Sequence, residues 1–329
     1  MKKIIIPLLA AVAVLSGCSA IDSQETKVPS GKKMTLTASI PSSDTKVVYS
    51  ENMTSAGLEL KATWSDRDTI SVVTLGTDLT VIAIDDFVCE GAEGSTKAVF
   101  TGVVSADPDE IVTLTAVYPR MDPSTASNAY ETVMTVFDNG YLYLYSSDGI
   151  YEEEPSEMER LAKAAVLIGK VESTDDDQLS VSLQHQNTLV KCEIEVGKEY
   201  AGMSLNKASM YLTNSQLDQL DAMTYAYYDL YTGEINYEHF YDNPGLAPLH
   251  YTETTDCSHV VDEDGILTCY LMLFPTEMMG GGYLYNMFYL IDEEEEEMVV
   301  MEGLNAIGKD ITLEAGKVYT VSGWMMDFS

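Results

Sequence analysis

Five cysteines occur in this 329-residue chain, and the first stands where covalent chemistry is expected. Cys18 follows Leu15-Ser16-Gly17, itself preceded by the basic start Met1-Lys2-Lys3 and an uncharged apolar run from Ile4 to Leu15. That order predicts a secretory signal peptide over residues 1–17 ending in a lipobox. Ser16 and Gly17 are the small residues a peptidase needs before its cut, and the Cys18 thiol takes a diacylglycerol. The apolar run falls short of the roughly 20 residues of a membrane-spanning helix. Each buried acyl methylene contributes about 0.8 kcal/mol, so several chains on one cysteine anchor the protein firmly to a membrane. Ser19, not Asp, follows the cysteine, which suits onward transport to the outer membrane. The polar stretch that completes residues 18–33 has no apolar period and predicts a flexible tether.

The other thiols, Cys89, Cys192, Cys257 and Cys269, form no C-x-x-C and so no zinc or thioredoxin pattern. Disulfides are permitted outside the cytoplasm. Cys257 and Cys269 flank the turn signal Asp262-Glu263-Asp264-Gly265, but a two-residue turn at Asp264-Gly265 pairs 260 with 269 and leaves 257 out of register. A bond between them needs a bulge, and isolated buried thiols are the simpler expectation. His185, His239, His250 and His259 lie in no H-E-x-x-H helix, and no G-x-S-x-G elbow, P-loop or dinucleotide fingerprint occurs. The acidic runs at Tyr151–Glu159 and Asp292–Glu297 lack the alternate spacing and turning glycine of a calcium loop, so they predict solvated tips. Carboxylates are abundant, but the separation that would define a glycosidase pair is a property of the fold. No enzyme, metal or cofactor is predicted. Net charge of −35, from 53 acids against 18 bases, excludes nucleic acid as a partner. Tyrosine is enriched, with 21 copies. Tyr141/Tyr143/Tyr145, Tyr225/Tyr227/Tyr228 and Tyr283/Tyr285/Tyr289 either offer aromatic strips to sugar rings and partner surfaces or cover strand edges.

These residues are carried by period-two runs. Met34–Ile40, Thr69–Leu75, Ala98–Val104, Ile111–Tyr118 and Tyr141–Tyr145 alternate or are rich in β-branched residues, as are 179–183, 189–196, 208–213, 266–273, 283–291 and 318–324. Turn clusters such as Asp138-Asn139-Gly140 and Thr232-Gly233 separate them. Short strands at this spacing predict all-β sandwiches or barrels. One short helix is predicted over Pro155–Ala164, running into a strand over Ala165–Val171. The charged cluster Glu172–Asp177 marks a boundary between domains at 34–172 and 173–329.

Several segments together resemble the fimbrillin family, the type V pilin-like lipoproteins. They are Lys33–Ile40 with Thr45–Tyr49, Leu60–Val73 with its Trp64, acids and hydrophobic strand, Phe100-Thr-Gly102, Tyr118-Pro119, Leu183–Lys191 with His185, and the closing Leu313–Val321 with Gly316-Lys317-Val-Tyr319. The resemblance implies two tandem Greek-key, transthyretin-like β-sandwich domains, export to the outer membrane and cell surface as a lipoprotein, and no catalysis. It implies a fimbrial subunit or adhesin whose partners are other subunits and a host or bacterial receptor or glycan. In shaft members a trypsin-like protease removes the first strand, and a neighbour's strand fills the groove by β-strand addition. Here no arginine lies between Cys18 and Arg67, so the candidate cuts are Arg67 and the lysines at 27, 32, 33 and 46, with Lys33 and Lys46 flanking the first strand. The donor strand is expected at 318–324, with Val318, Tyr319, Val321 and Trp324. His185 is expected to be structural. Without cleavage, the same chain is an anchor, a tip adhesin or a lone surface lipoprotein that binds glycan or host protein.

Overall fold

Alternation along Met34–Ser39 becomes a strand with one face in the core, and most of the chain repeats the pattern. The computed structural model describes residues 31–40, 51–54, 57–60, 63–91, 94–121, 134–137, 140–145, 165–213, 223–239, 250–253, 259–278, 283–292, 297–306, 308–324 and 326–327. In the first half the strands are β1 (Lys32–Ser39), β2 (Glu51–Thr54), β3 (Gly57–Leu60), β4 (Thr69–Gly76), β5 (Val81–Cys89), β6 (Lys97–Val104), β7 (Ile111–Tyr118), β8 (Met134–Phe137), β9 (Tyr141–Tyr145), β10 (Leu167–Asp175), β11 (Gln178–Ser182) and β12 (Gln184–His185). β11-β1-β6-β5-β4-β7-β10 run side by side, and a further β10–β11 pairing joins the two ends, so seven strands form a closed ring. β2 and β3 form a separate hairpin.

Two layers of side chains flank this sheet. Met34, Leu36, Ile70, Phe87, Phe100, Leu179 and Val181 pack with Trp64 in one core. On the other face of β4, β7 and β10, Val73, Leu75, Val117, Val166 and Ile168 meet Leu142, Leu144, Ala226 and Tyr228. β4 is covered on both faces and is buried from Ile70 to Gly76, which is why its sequence is rich in β-branched residues without strict apolar–polar alternation, Ser71 and Thr74 included.

The covering layer is a four-stranded sheet, β16-β15-β9-β8, in which β15 (Met223–Asp229) and β16 (Ile235–His239) come from beyond the predicted boundary. Leu142 and Leu144 point inward and need apolar partners, which Ala226 and Tyr228 supply. The acidic cluster 172–177 is likewise no boundary between sheets: Glu172–Asp175 lies in β10, and the turn to β11 is closed by Thr174 Oγ1 donating to Gln178 O at 3.2 Å. Hydroxyl and carboxylate side chains there serve a hairpin tip. The predicted helix over 155–164 lies outside the described residues.

The remaining strands are β13 (Thr188–Glu195), β14 (Ser204–Thr213), β17 (His250–Glu253), β18 (Ile266–Leu273), β19 (Thr276–Met278), β20 (Tyr283–Asp292), β21 (Glu297–Ala306), β22 (Ile311–Leu313), β23 (Val318–Trp324) and β24 (Met326–Asp327). They build a three-stranded sheet, β18-β13-β23, and a five-stranded sheet, β17-β14-β20-β21-β24, with β19 and β22 paired separately. Val190, Cys192, Ile194 and Cys269 from the first meet Leu205, Phe288, Leu290 and Met301 from the second in one core. The chain is thus all-β among the described residues, apart from single 3-10 turns at Pro108–Glu110 and Lys198–Tyr200.

Candidate functional site

β1 is an interior strand. It pairs antiparallel with β6 from Lys32–Val104 to Ser39–Lys97, and parallel with β11 from Thr35–Gln178 to Ser39–Ser182. Met34, Leu36, Ala38 and Ile40 point into the core, with Leu36 and Ala38 fully buried. The ends are tied too: Thr35 N donates to Asp177 O at 2.9 Å, Ile40 N to Thr96 O at 3.0 Å, and the Lys32 ammonium to Asp176 O. Gly102 faces Met34 across the ladder. A Cβ there would lie 2.6 Å from Phe87 Cγ and 2.7 Å from Asp86 O, so β6 fits only because that side chain is absent. Gly102→Val is expected to destabilise the protein by roughly 1–3 kcal/mol through overpacking, read as a lowered urea midpoint.

Lifting β1 out would leave β6 and β11 with unpaired backbone groups on either side of a slot lined by Phe100, Leu179 and Val181. The candidate cleavage residues relate to this slot differently. Lys33 pairs with Val103 inside the ladder, and a cut after it leaves Met34–Ser39 attached. Arg67 sits in a tied turn at φ 68, where its N–H donates to Cys89 O at 3.1 Å and Ser65 N donates to Asp68 Oδ2 at 2.6 Å. That left-handed backbone is far from the extended form a protease cleft takes. Cys18, Lys27 and Lys46 lie outside the described residues, Lys46 in the connection from β1 to β2. Lys61, between β3 and Trp64, is a further basic residue that the sequence reading passed over; its position between two strand runs was the available signal.

β23 lies at the edge of its three-stranded sheet and pairs parallel with β13, from Leu189–Val318 to Glu195–Trp324. Tyr319 and Val321 pack against the core. Val318, half-buried, falls on the opposite face of the pleat from them. The Tyr319 hydroxyl donates to Thr312 O and accepts from Glu314 N, both at 3.0 Å. Two of the motifs that carried the family resemblance meet here: Gly316 N donates to Asn187 O at 2.7 Å and Leu189 N to Lys317 O at 3.0 Å. His185 is buried in β12 opposite Leu167.

The tyrosine strips divide. On β9, Leu142 and Leu144 are buried while Tyr141 and Tyr143 are half-exposed on the other face. Tyr227 joins them from β15, edge-on to Tyr141 at 5.4 Å and tilted to Tyr143 at 6.1 Å. Tyr228 turns inward instead, so Tyr225, Tyr227 and Tyr228 do not make one strip. Burial, then the nearby Asp229 carboxylate, push the Tyr228 phenol above its ordinary 10.0. A raised folded-state value means a stabilisation fully present below pH 10.0 and lost as pH rises through the folded value. Tyr228→Phe is expected to flatten that alkaline loss in urea midpoints measured across this range.

Among the described residues no group of three or more His, Cys, Asp or Glu could hold a metal, and no helix is long and apolar enough to cross a membrane.

No protein-family model matches the chain, and no curated protein matches it. Solved structures do superpose over most of its length. A candidate cell adhesion protein from Bacteroides ovatus matches at 15% identity and a TM-score of 0.44, over 89% of this chain and 92% of that one. One from Bacteroides uniformis matches at 13% identity and 0.42, over 88% and 92%. The fimbrial anchor protein Mfa2 from Porphyromonas gingivalis matches at 8% identity and 0.33, over 84% and 82%. These scores all lie below 0.5.

Proposed function

We propose that this chain is a fimbrial subunit or fimbrillin-like adhesin, exported as a lipoprotein anchored at Cys18 to the outer membrane, that assembles at the cell surface by strand addition and has no catalytic role. The observation that carries the proposal is β1: a doubly paired strand whose alternate residues fill the core and which is followed by a lysine-containing connection. A cut after Lys46 detaches β1 and no other described strand. The strand that replaces it needs apolar residues at alternate positions, with a small third one to match Met34, Leu36, Ala38 and Ile40. β23 and its continuation carry Tyr319, Val321, Gly323 and Met325 in that spacing. In this reading the subunit is built from tandem Greek-key, transthyretin-like domains, with the first extending past residue 172 and completed by the 223–239 hairpin. The test is mass spectrometry of the mature N-terminus of native surface material. Subunits beginning at Val47 in SDS-resistant ladders support strand addition; ladders built from subunits that begin at Cys18 rule it out.

A monomeric surface lipoprotein that binds glycan is the second reading, favoured by the half-exposed Tyr141, Tyr143 and Tyr227 cluster. Aromatic faces bind sugar rings. A glycan array then gives hits that Tyr141→Ala with Tyr227→Ala removes; an array without hits discards this reading.

A further inference from the structure

The sequence placed the one candidate disulfide between Cys257 and Cys269. The strand register gives Cys269 a different neighbour. In the β13–β18 ladder Cys192 lies directly opposite Cys269. Both point into the core shared by the two sheets and are 0% and 1% exposed. Val196 N donates to Gly265 O at 2.9 Å in the same ladder. With no register shift between, every second pair repeats that bonding, so Cys192 and Cys269 form a hydrogen-bonded pair. Such pairs have Cα atoms about 5.5 Å apart, inside the range of about 4.4–6.8 Å that a disulfide spans. Cβ atoms of directly opposite residues stand about 4.5–5.5 Å apart, at the wider end in hydrogen-bonded pairs, so closing to the disulfide mean of about 3.8 Å takes roughly 1.5 Å of approach between the two strands.

We propose that Cys192 and Cys269, thiols in this structure, are joined by a cross-strand disulfide in the exported protein. The proposal rests on the export reading above, because only an oxidising compartment sustains the bond. Two S–H bonds break and one S–S bond forms. The electron pair and both protons pass to the disulfide of an exported thiol oxidoreductase, which becomes a dithiol, by way of a mixed disulfide. Burial of both sulfurs in the folded core dates the reaction to folding, before β13 and β18 are covered by the facing sheet. The bond gives the three-stranded sheet a covalent half. β18 and β13 are clamped, while β23 stays held to β13 by its ladder and side-chain contacts alone. The strand offered as donor is thereby the one that separates without breaking a covalent link.

Native surface protein is denatured, alkylated without reduction and mapped as peptides, with the N-terminal peptide read in the same experiment. The expected result is a linked pair of peptides containing Cys192 and Cys269, with Cys89 and Cys257 alkylated. An N-terminus at lipidated Cys18 or at a processed end, together with alkylated Cys192 and Cys269, overturns the disulfide and leaves export standing. A Cys257–Cys269 link overturns it as well. If the N-terminus still carries residues 1–17, the export reading fails. The pair is then judged on purified full-length chain, folded in glutathione with glutathione disulfide: a Cys192–Cys269 link supports the geometry, and two alkylated thiols overturn it.

Discussion

Lys46→Ala is expected to abolish SDS-resistant ladders in surface fractions and to leave every subunit with Cys18 as its first residue. The effect is all-or-none, because the variant bond controls whether β1 remains part of its own chain. Intact, β1 buries Met34, Leu36 and Ile40, worth about 1.5–3 kcal/mol each, and adds ladder hydrogen bonds of about 0.5–1.5 kcal/mol apiece. Those gains are comparable with the 5–15 kcal/mol that holds a typical domain folded. Two consequences follow from the magnitudes. A neighbour's strand does not displace β1 while the chain is continuous, since the tethered strand rebinds at once. After the cut, an empty slot is not a resting state either, so the incoming strand must advance along β6 and β11 as β1 retreats. Ladders that persist in Lys46→Ala, with subunits beginning at Ala62, move the cut to Lys61 and release the β2–β3 hairpin along with β1. Ladders that persist with Cys18 at every terminus remove strand addition from the account.

The strands that carry this mechanism are legible because each buries one face or, for Ile111–Tyr118, both. Met34–Ile40, Ile111–Tyr118, Tyr141–Tyr145 and 318–324 alternate or run apolar in the sequence and are strands in the structure. β5 was passed over because Asp85 and Asp86 interrupt its apolar run. Asp86 instead accepts from Ser71 Oγ at 3.2 Å and from Arg120 Nε at 2.6 Å, in a strand that buries only Phe87 and Cys89 and leaves Ile82 and Val88 exposed. What could not be read was pairing across long separations. Nothing local in Tyr225–Tyr228 says that its partner is Tyr141–Tyr145, nor that the first sheet closes through β11 beside β1. The same limit hid the Cys192–Cys269 register, while the nearer Cys257 drew attention through a turn signal alone. Separation in sequence, not weakness of propensity, divides the elements that were found from the contacts that were not.

Trp64→Ala is expected to cost about 3–5 kcal/mol, the loss of a fully buried large aromatic, and to leave little folded protein at 37 °C. Trp64 lies outside any named strand, bridged to Ser95, with its N–H donating to Ser95 O at 2.7 Å and Gly94 N donating to its carbonyl at 3.0 Å. Its ring meets Phe100 edge-on at 5.0 Å and Tyr118 at 5.7 Å. Among the described residues the indole N–H has no hydrogen-bond partner, so its value to the core is volume and ring contact. Trp64→Phe, which keeps a ring and drops the unpaired donor, is therefore expected to lose much less; urea titration of the two variants separates them, and equal losses would discard the packing account. The comparison bears on maturation. A cut after Arg67 removes Trp64 along with β1, taking the centre of the Trp64–Phe100–Tyr118 cluster as well as the strand that an incoming neighbour can replace. A donor strand restores alternate apolar residues in the slot but supplies no ring where Trp64 stood. Folded, assembled subunits that begin at Asp68 would contradict the strong dependence on Trp64, whereas subunits beginning at Val47 keep the ring and lose only what the neighbour returns.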